Sequence, residues 1–191
     1  MRIRTQSCMR LQTIPRFGAH YRIGCYHNLM ESKQTIHRLP TWDYTRSGMY
    51  YVTICVSERK HALGHIVYDE NKLDHPASFV PSEIGITCIE AGKSLGERFD
   101  DVRLEKLTLM PDHIHMLANI DANGSTALGD VVFAFKRFVT RKARAAGFNG
   151  RLWQKNYYDH VVRDNEDVLR IMEYMENNPI RWAHQRQENN I

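Results

Sequence analysis

The order of patterned segments predicts an α+β protein built as a ferredoxin-like βαββαβ sheet with helices on one face, plus a C-terminal helix. Three observations carry this. Residues 49–56 and 157–162 are aromatic and β-branched and read as the first and last strands. Residues 103–110 and 113–120 are two further strand-like runs on either side of Pro111-Asp112, a candidate hairpin. Two helical periods fall between these strands and a third follows the last.

Each element has its own signal. Ser47-Gly48 marks a turn before Met-Tyr-Tyr-Val-Thr-Ile-Cys-Val at 49–56, and a weak strand, His-Ile-Val-Tyr, follows at 65–68. Pro81-Ser82-Glu83 opens a helix running to about Phe99, with Ser82 as N-cap and Ile84, Cys88, Ala91 and Leu95 near helical spacing. After the 103–120 hairpin, a loop at 121–125 leads to a helix from about Thr126 to Ala146. That helix gathers Val131, Phe135, Phe138 and Val139 on one face and ends at Gly147 and Gly150. Asp164 caps a last amphipathic helix through about Glu176. Asn177-Asn178-Pro179 is expected to interrupt it before a short helix at 180–185.

The chain has 191 residues, 42% hydrophobic and 25% charged, with a net charge of +4 and a pI near 8.9. This excludes collagen-like, disulfide-scaffold and fully disordered classes. No apolar run approaches the length of a membrane span, so no membrane partner is expected. The charge is unevenly placed. Arg2, Arg4, Arg10, Arg16 and Arg22 give residues 1–29 a charge of +5 with no acid, which leaves −1 for residues 30–191. Residues 1–29 carry no sustained period and read as a disordered arm, an Arg-rich targeting segment, or an overlong start ahead of Met30; residues 30–191 form the domain. Cys8, Cys25, Cys55 and Cys88 include no CxxC spacing, so free thiols in a reducing cytoplasm are expected.

Chemistry concentrates in a few places. His113-Ile114-His115 lies on a strand, where residues two apart share a face, so the two imidazoles project together and can hold one divalent ion. The plainer reading is two half-exposed histidines. Tyr174 and Asn178 are four apart on the last helix and share a face. The Asn178 carbonyl suits a hard cation such as Mg²⁺ or Mn²⁺, and the phenol would stand beside it. The plainer reading makes Tyr174 a boundary aromatic and Asn178 a helix terminator. A phenol beside a polarised phosphodiester can form a phosphate ester that conserves bond energy, the chemistry of cutting and rejoining DNA without ATP. Tyr157, Tyr158 and His160 compete for these roles, but the two tyrosines have no helical partner with ligand chemistry, and His160, among Tyr158, Val161 and Val162, reads more plainly as a sheet histidine.

Lys136, Arg137, Arg141, Lys142 and Arg144 form a cationic run without an acid, either a phosphate-binding ridge or a solvated helix face. Trp153 and Gln154, in Trp-Gln-Lys-Asn-Tyr-Tyr, offer stacking and hydrogen-bonding groups for unpaired bases, or a loop anchored by Trp153.

With those residues in hand, about Leu39 to Ala183 resembles the REP-associated tyrosine transposases of the single-tyrosine HUH transposase superfamily. The matching segments, in order, are LPTWDYTRSGMYYVTICVSERKHALGHIV, LTLMPDHIHML, ALGDVVFAFKRFVT, RLWQKNYYDHVVRD and IMEYMENNPIRW. The resemblance implies a metal-dependent single-strand DNA endonuclease and strand transferase, using Mg²⁺ or Mn²⁺ on hairpin DNA. It implies His113, His115 and Asn178 as metal ligands and Tyr174 as the nucleophile that forms a 5′-phosphotyrosine. Lys136, Arg137, Arg141, Lys142, Trp153, Gln154 and Arg163 are the candidate DNA contacts. A cytoplasmic protein, nucleoid-associated when bound to DNA, is expected, as monomer or homodimer. Asp112 departs from the pattern, which usually has Asn there, and residues 1–29 have no counterpart in it. The competing readings are a hairpin-binding module without chemistry and a hydrolase of small phosphoesters, which would need a further ligand cluster.

Overall fold

A computed structural model describes residues 43, 47–72, 76–122 and 124–188, so the reading of residues 1–29 falls outside the described residues. Among these, the strands are β1 (Gly48–Cys55), β2 (Gly64–Tyr68), β3 (Ala77–Pro81), β4 (Val102–Met110), β5 (His113–Ile120) and β6 (Tyr158–Val162). The helices are α1 (Glu83–Lys93), α2 (Leu95–Arg98), α3 (Leu128–Ala145) and α4 (Asn165–Glu188).

β1, β4, β5 and β6 form one sheet in the order β4-β5-β1-β6, and every pairing is antiparallel. That is the ferredoxin-like order expected of the plan. β2 and β3 pair only with each other, as a hairpin inserted between β1 and α1.

Strand alternation divides the sheet into two chemically different faces. Tyr50, Val52 and Ile54 of β1 join Ile114, Met116, Ala118 and Ile120 of β5 on the apolar face. Cys88 and Ala91 of α1 and Val131, Phe135 and Val139 of α3 close the core over it. The opposite face carries Tyr51 and Thr53 of β1 and His113 and His115 of β5. It is covered by α4, whose Tyr174 ring meets that of His115 and whose Glu176 pairs with Lys106 of β4. β5 is therefore buried on both sides, and its histidines are removed from solvent.

Several boundaries differ from the sequence expectation for physical reasons. The helix expected over 82–99 breaks at Ser94 into α1 and α2. Ser82 caps α1 as expected, accepting from the Gly85 amide, and its hydroxyl also donates to the Ala62 carbonyl. Gly85 is required there, because a Cβ would stand 2.1 Å from the Leu63 carbonyl oxygen. α3 begins at Leu128 because the Asp101 carboxylate holds both the amide and the hydroxyl of Thr126. β3 was not expected.

The largest correction concerns α4, which runs unbroken through Pro179. A helix-interior proline costs about 3 kcal/mol. Burial of Ile171 and Met175 against the sheet offsets that cost. The consequence is functional: Asn178 stays inside the helix, one turn beyond Tyr174 and on the same side. Among the described residues no helix is long and apolar enough to cross a membrane.

Candidate active site

The β1–β5 register sets Thr53 opposite His115 and Cys55 opposite His113. The two imidazoles converge, with Nε2 of His113 3.1 Å from Nε2 of His115. Each ring is held from behind. His113 Nδ1 lies 2.6 Å from Asp112 Oδ1. A carboxylate only accepts, so His113 Nδ1 carries the proton and its Nε2 presents a lone pair. His115 Nδ1 lies 2.7 Å from the Tyr51 hydroxyl and 3.0 Å from the Thr53 hydroxyl.

Burial holds both imidazoles below their ordinary value near 6.5. His115 is also pushed down by His113 and by the Arg59 charge, while the bond to Asp112 only partly restores His113. Both rings are therefore neutral, the state in which an imidazole ligates. Burial would raise the Asp112 carboxyl, but its bond to the His113 ring and the Arg59 charge oppose that, and it lies below the usual range. Arg59 Nη1 stands 3.4 Å from Asp112 Oδ2. The guanidinium is brought there by two successive left-handed residues, Glu58 (φ 57) and Arg59 (φ 52). Such conformations cost about 1–3 kcal/mol each and persist where the surroundings impose them.

Tyr174 stands over this pair in the same chain. Its ring centroid is 5.5 Å from that of His115 and 6.4 Å from that of Tyr51, and the Arg181 guanidinium lies 5.7 Å above it. Burial raises the phenol's pKa, and the Asn178 side chain and the Arg181 charge oppose that rise. Asn178 is buried, and its amide nitrogen meets no acceptor at hydrogen-bonding geometry among the described residues. His113, His115 and Tyr174 are thus brought together by strand spacing on β5 and the packing of α4, and Asn178 lies one helical turn from Tyr174.

The other candidates sit elsewhere. His160 Nε2 binds Asp167 Oδ2 at 2.6 Å, and Asp167 also receives Arg170, so His160 ties β6 to the first turn of α4. Arg137, Arg141, Lys142 and Arg144 are exposed on α3, which packs on the opposite face of the sheet from the histidines. Arg141 and Lys142 lean on Phe138. Lys136 turns inward instead: its ammonium donates to the Gln154 and Asn156 carbonyls, and burial lowers its pKa to about 8. Trp153 is buried, with its ring against Phe135 and its backbone bridged to Val56. The structure thus gives Lys136 and Trp153 the job of anchoring the 151–157 loop. Gln154 is half-buried and Arg163 exposed.

Residues 78–178 match the family model described as the IS200-like transposase. The chain belongs to the IS200-like transposase family. It is 29% identical, over 85% of its length and 93% of the relative's, to an uncharacterised protein of Haemophilus influenzae. A second relative from that organism, provisionally named a REP-associated tyrosine transposase, is 22% identical over 74% of this chain and 76% of its own. The fold is similar to that of a REP-associated tyrosine transposase solved bound to a REP hairpin, with a TM-score of 0.54 over 78% of this chain and 74% of that one at 14% identity.

For an IS200-like transposase, the question at this site is whether its residues fit a divalent ion. Two neutral Nε2 atoms 3.1 Å apart match neighbouring ligands of an octahedral ion, which at about 2.1 Å from each sets them about 3.0 Å apart. Among the described residues no group of three or more His, Cys, Asp or Glu is placed to hold a metal, so the third protein ligand here would be the Asn178 amide oxygen. The facing Nε2 atoms fit such an ion, and of the Asn178 amide only the oxygen could ligate it, the nitrogen being a donor.

Sequence reasoning missed Tyr51, Thr53 and Arg59 in this transposase and saw Asp112 only as added charge. The sole signal for the first two was their common parity on β1, opposite to that of the apolar core residues Tyr50, Val52 and Ile54. Asp112 holds His113 as carboxylates hold metal-binding histidines elsewhere. Asp112→Asn keeps an acceptor for Nδ1–H but removes the charge, so Mn²⁺ affinity by calorimetry should fall about 10–100-fold. Unchanged affinity would show that Asp112 does not act through His113.

The same transposase site sets a pH dependence. The folded-state pKa values of His113 and His115 are depressed, so the unfolded chain takes up protons near 6.5 while the folded chain resists them. Stability is full above about 6.5 and falls as the pH drops below it. Asp112, also depressed, adds loss in the same direction below its ordinary value of 3.8. Thermal melts in EDTA should be level between pH 8 and 7 and decline toward pH 5. A Tm that rises on acidification would contradict the assignment of buried neutral rings.

Proposed function

We propose that this transposase is a metal-dependent single-strand DNA endonuclease and strand transferase acting on hairpin DNA, with Tyr174 as nucleophile. The observation that carries the reading is the placement of the Tyr174 phenol against the buried His113–His115 pair, with Asn178 on the same helix face. His113, His115 and Asn178 would hold a divalent ion there, Mn²⁺ or Mg²⁺, and such an ion would supply charge neutralisation and polarisation of the scissile phosphate.

The Tyr174 oxygen attacks phosphorus and forms a 5′-phosphotyrosine as the bond to the 3′-oxygen breaks. The phenolic proton is lost and the departing oxygen leaves as a 3′-hydroxyl, so charge and protons balance. Arg181, over the ring, favours developing negative charge on the phenolic oxygen. The ester conserves the bond energy and lets another 3′-hydroxyl reverse the step. Tyr174 meets His115 of its own chain, which favours action in cis by a monomer. Arg137, Arg141, Lys142 and Arg163 supply exposed cations for phosphates, and Gln154 a polar contact, so the hairpin engages the protein away from the cutting face as well as on it. The related structure with a REP hairpin supports hairpin DNA as the substrate class. A protein acting on chromosomal hairpins would work in the cytoplasm at the nucleoid.

The test is incubation with hairpin oligonucleotides copied from the inverted repeats flanking the gene. A detergent-stable protein–DNA adduct that forms with Mn²⁺ or Mg²⁺ and disappears with EDTA is expected. Tight binding with no adduct and no cleavage would replace this reading with that of a hairpin-binding module.

A further inference from the structure

The two imidazoles of the site are backed by different chemistry. Behind His113 stands the Asp112 carboxylate, 2.6 Å from Nδ1, which only accepts and so fixes the proton on that nitrogen. Behind His115 stand two hydroxyls, Tyr51 at 2.7 Å and Thr53 at 3.0 Å from Nδ1. Their spacing of two on β1 puts both on the face of the histidines. A hydroxyl, unlike a carboxylate, can either donate or accept. Among the described residues the hydrogen-bond partners of the His115 ring are these two hydroxyls and His113, with no carboxylate. At 1% exposure the ring is therefore neutral and carries a single N–H. The distance of 3.1 Å between the two Nε2 atoms is a hydrogen-bond distance as well as a ligand spacing, and the bond needs one proton between them. His113 holds its own proton at Nδ1, so the proton of that bond belongs to His115 Nε2. His115 Nδ1 is then an acceptor, and a hydroxyl donates to it.

We infer that Tyr51 and Thr53 are positioning residues that make His115 a switching ligand: its proton rests on Nε2 in the protein alone and on Nδ1 when the ring ligates, the hydroxyls turning from donors to acceptors. The inference rests on the reading of His113 and His115 as ligands of a divalent ion. An imidazole ligates through a lone pair, so His115 Nε2 must give up its proton. The Nε2–H bond breaks and that proton leaves to water, while Nδ1 takes a proton from water and forms a new N–H bond. The charge of the ring is unchanged and no net proton is released. The new Nδ1–H donates to the Tyr51 or the Thr53 oxygen, and only hydroxyl hydrogens have to rotate. A carboxylate in their place would fix the proton on Nδ1, as Asp112 does for His113, and would leave two Nε2 lone pairs facing each other at 3.1 Å. The hydroxyl pair satisfies Nδ1 in both proton arrangements. His113 is thus the fixed ligand and His115 the adaptable one.

The experiment reads protons rather than cutting. The full chain is labelled with ¹⁵N-histidine, and ring-proton to ring-nitrogen NMR correlations are recorded in EDTA and then at saturating Mg²⁺. The two rings are identified by the signals lost in His113→Gln and His115→Gln. In EDTA the protonated nitrogen should be Nδ1 for His113 and Nε2 for His115. With Mg²⁺, His115 should change to Nδ1–H and His113 should keep its Nδ1–H. Finding His115 already protonated at Nδ1 in EDTA overturns the switch. So does a His115 ring that responds to Mg²⁺ and keeps its proton on Nε2. If neither ring responds to saturating Mg²⁺, the reading of the pair as metal ligands fails, and the switch with it. Calorimetry supplies a second measurement. Tyr51→Phe and Thr53→Val each leave one hydroxyl, whereas the double variant leaves Nδ1–H without an acceptor and should bind Mn²⁺ roughly 10–100-fold more weakly. Its DNA affinity in EDTA should be unchanged, and melting curves establish that it folds. Wild-type Mn²⁺ affinity in the folded double variant overturns the role given to the hydroxyls.

Discussion

Replacing Tyr174 with Phe should eliminate the covalent protein–DNA adduct and lower strand cleavage by 10³-fold or more, on the order seen when an essential nucleophile is removed. The substitution is clean because the ring remains. Phe keeps the edge contacts with His115 and Tyr51 and the stacking beneath Arg181, and loses only the oxygen and its interaction with Asn178. The cost in stability should be about 1 kcal/mol, a shift of a few degrees in Tm. DNA affinity in EDTA should be unchanged. A Phe variant that still traps DNA would move the nucleophile elsewhere, with Tyr157 and Tyr158 the next candidates.

His115→Ala should have the second largest effect, in two separable parts. The ring is 1% exposed and fills the space between β1 and α4, and its Nδ1 serves two buried hydroxyls. Its loss leaves a cavity and removes the partner of Tyr51 and Thr53, a destabilisation of about 2–4 kcal/mol. The other part is the loss of the metal response. In the wild-type chain, Mn²⁺ at 100 times its dissociation constant should raise stability by about 2.7 kcal/mol, read as a higher Tm. In His115→Ala that increment should vanish while melting stays cooperative. An undiminished Mn²⁺ shift in the variant would place the ion away from the histidine pair.

How much of this could be read from the sequence depends on the range of the interaction. That His113 and His115 share one face, and Tyr174 and Asn178 another, was legible because a spacing of two on a strand and of four on a helix fixes it before any tertiary structure is known, whereas their roles were assigned only by the resemblance. The sheet was legible for the same reason, since its four strands alternate or run aromatic and β-branched. β3 was not: Ala77-Ser-Phe-Val-Pro81 is short and ends in proline, and only its pairing with β2 makes it a strand. The passage of α4 through Pro179 was illegible because burial of Ile171 and Met175, a tertiary effect, outweighs the local rule. The support of the site was hidden likewise. That Tyr51 and Thr53 hold His115 follows from β1 lying beside β5, and that Arg59 reaches Asp112 follows from a left-handed turn without glycine.

Lys136 shows the limit of charge patterns. It sits beside Phe135 at the edge of the buried face of α3, close enough to the 151–157 loop to bind its carbonyls, while Arg137 one residue on faces out. A row of cations in the sequence does not say which are engaged within the fold. The net charge misleads in a similar way. Its excess lies in residues 1–29, outside the described residues, and residues 30–191 sum to −1, so the net charge says nothing of the charge on the domain's own surface.

The central claim is that Tyr174 becomes joined to the 5′ end of a cut strand. It is tested most directly by trapping the adduct with Mn²⁺ on a hairpin oligonucleotide, digesting with trypsin and nuclease, and locating the nucleotide mass by mass spectrometry. Cleavage after Arg170 and Arg181 releases a peptide of residues 171–181 in which Tyr174 is the sole tyrosine. The nucleotide should be found on that peptide, at Tyr174, through a 5′-phosphate. A nucleotide on the peptide of residues 156–163, which holds Tyr157 and Tyr158, would contradict the account.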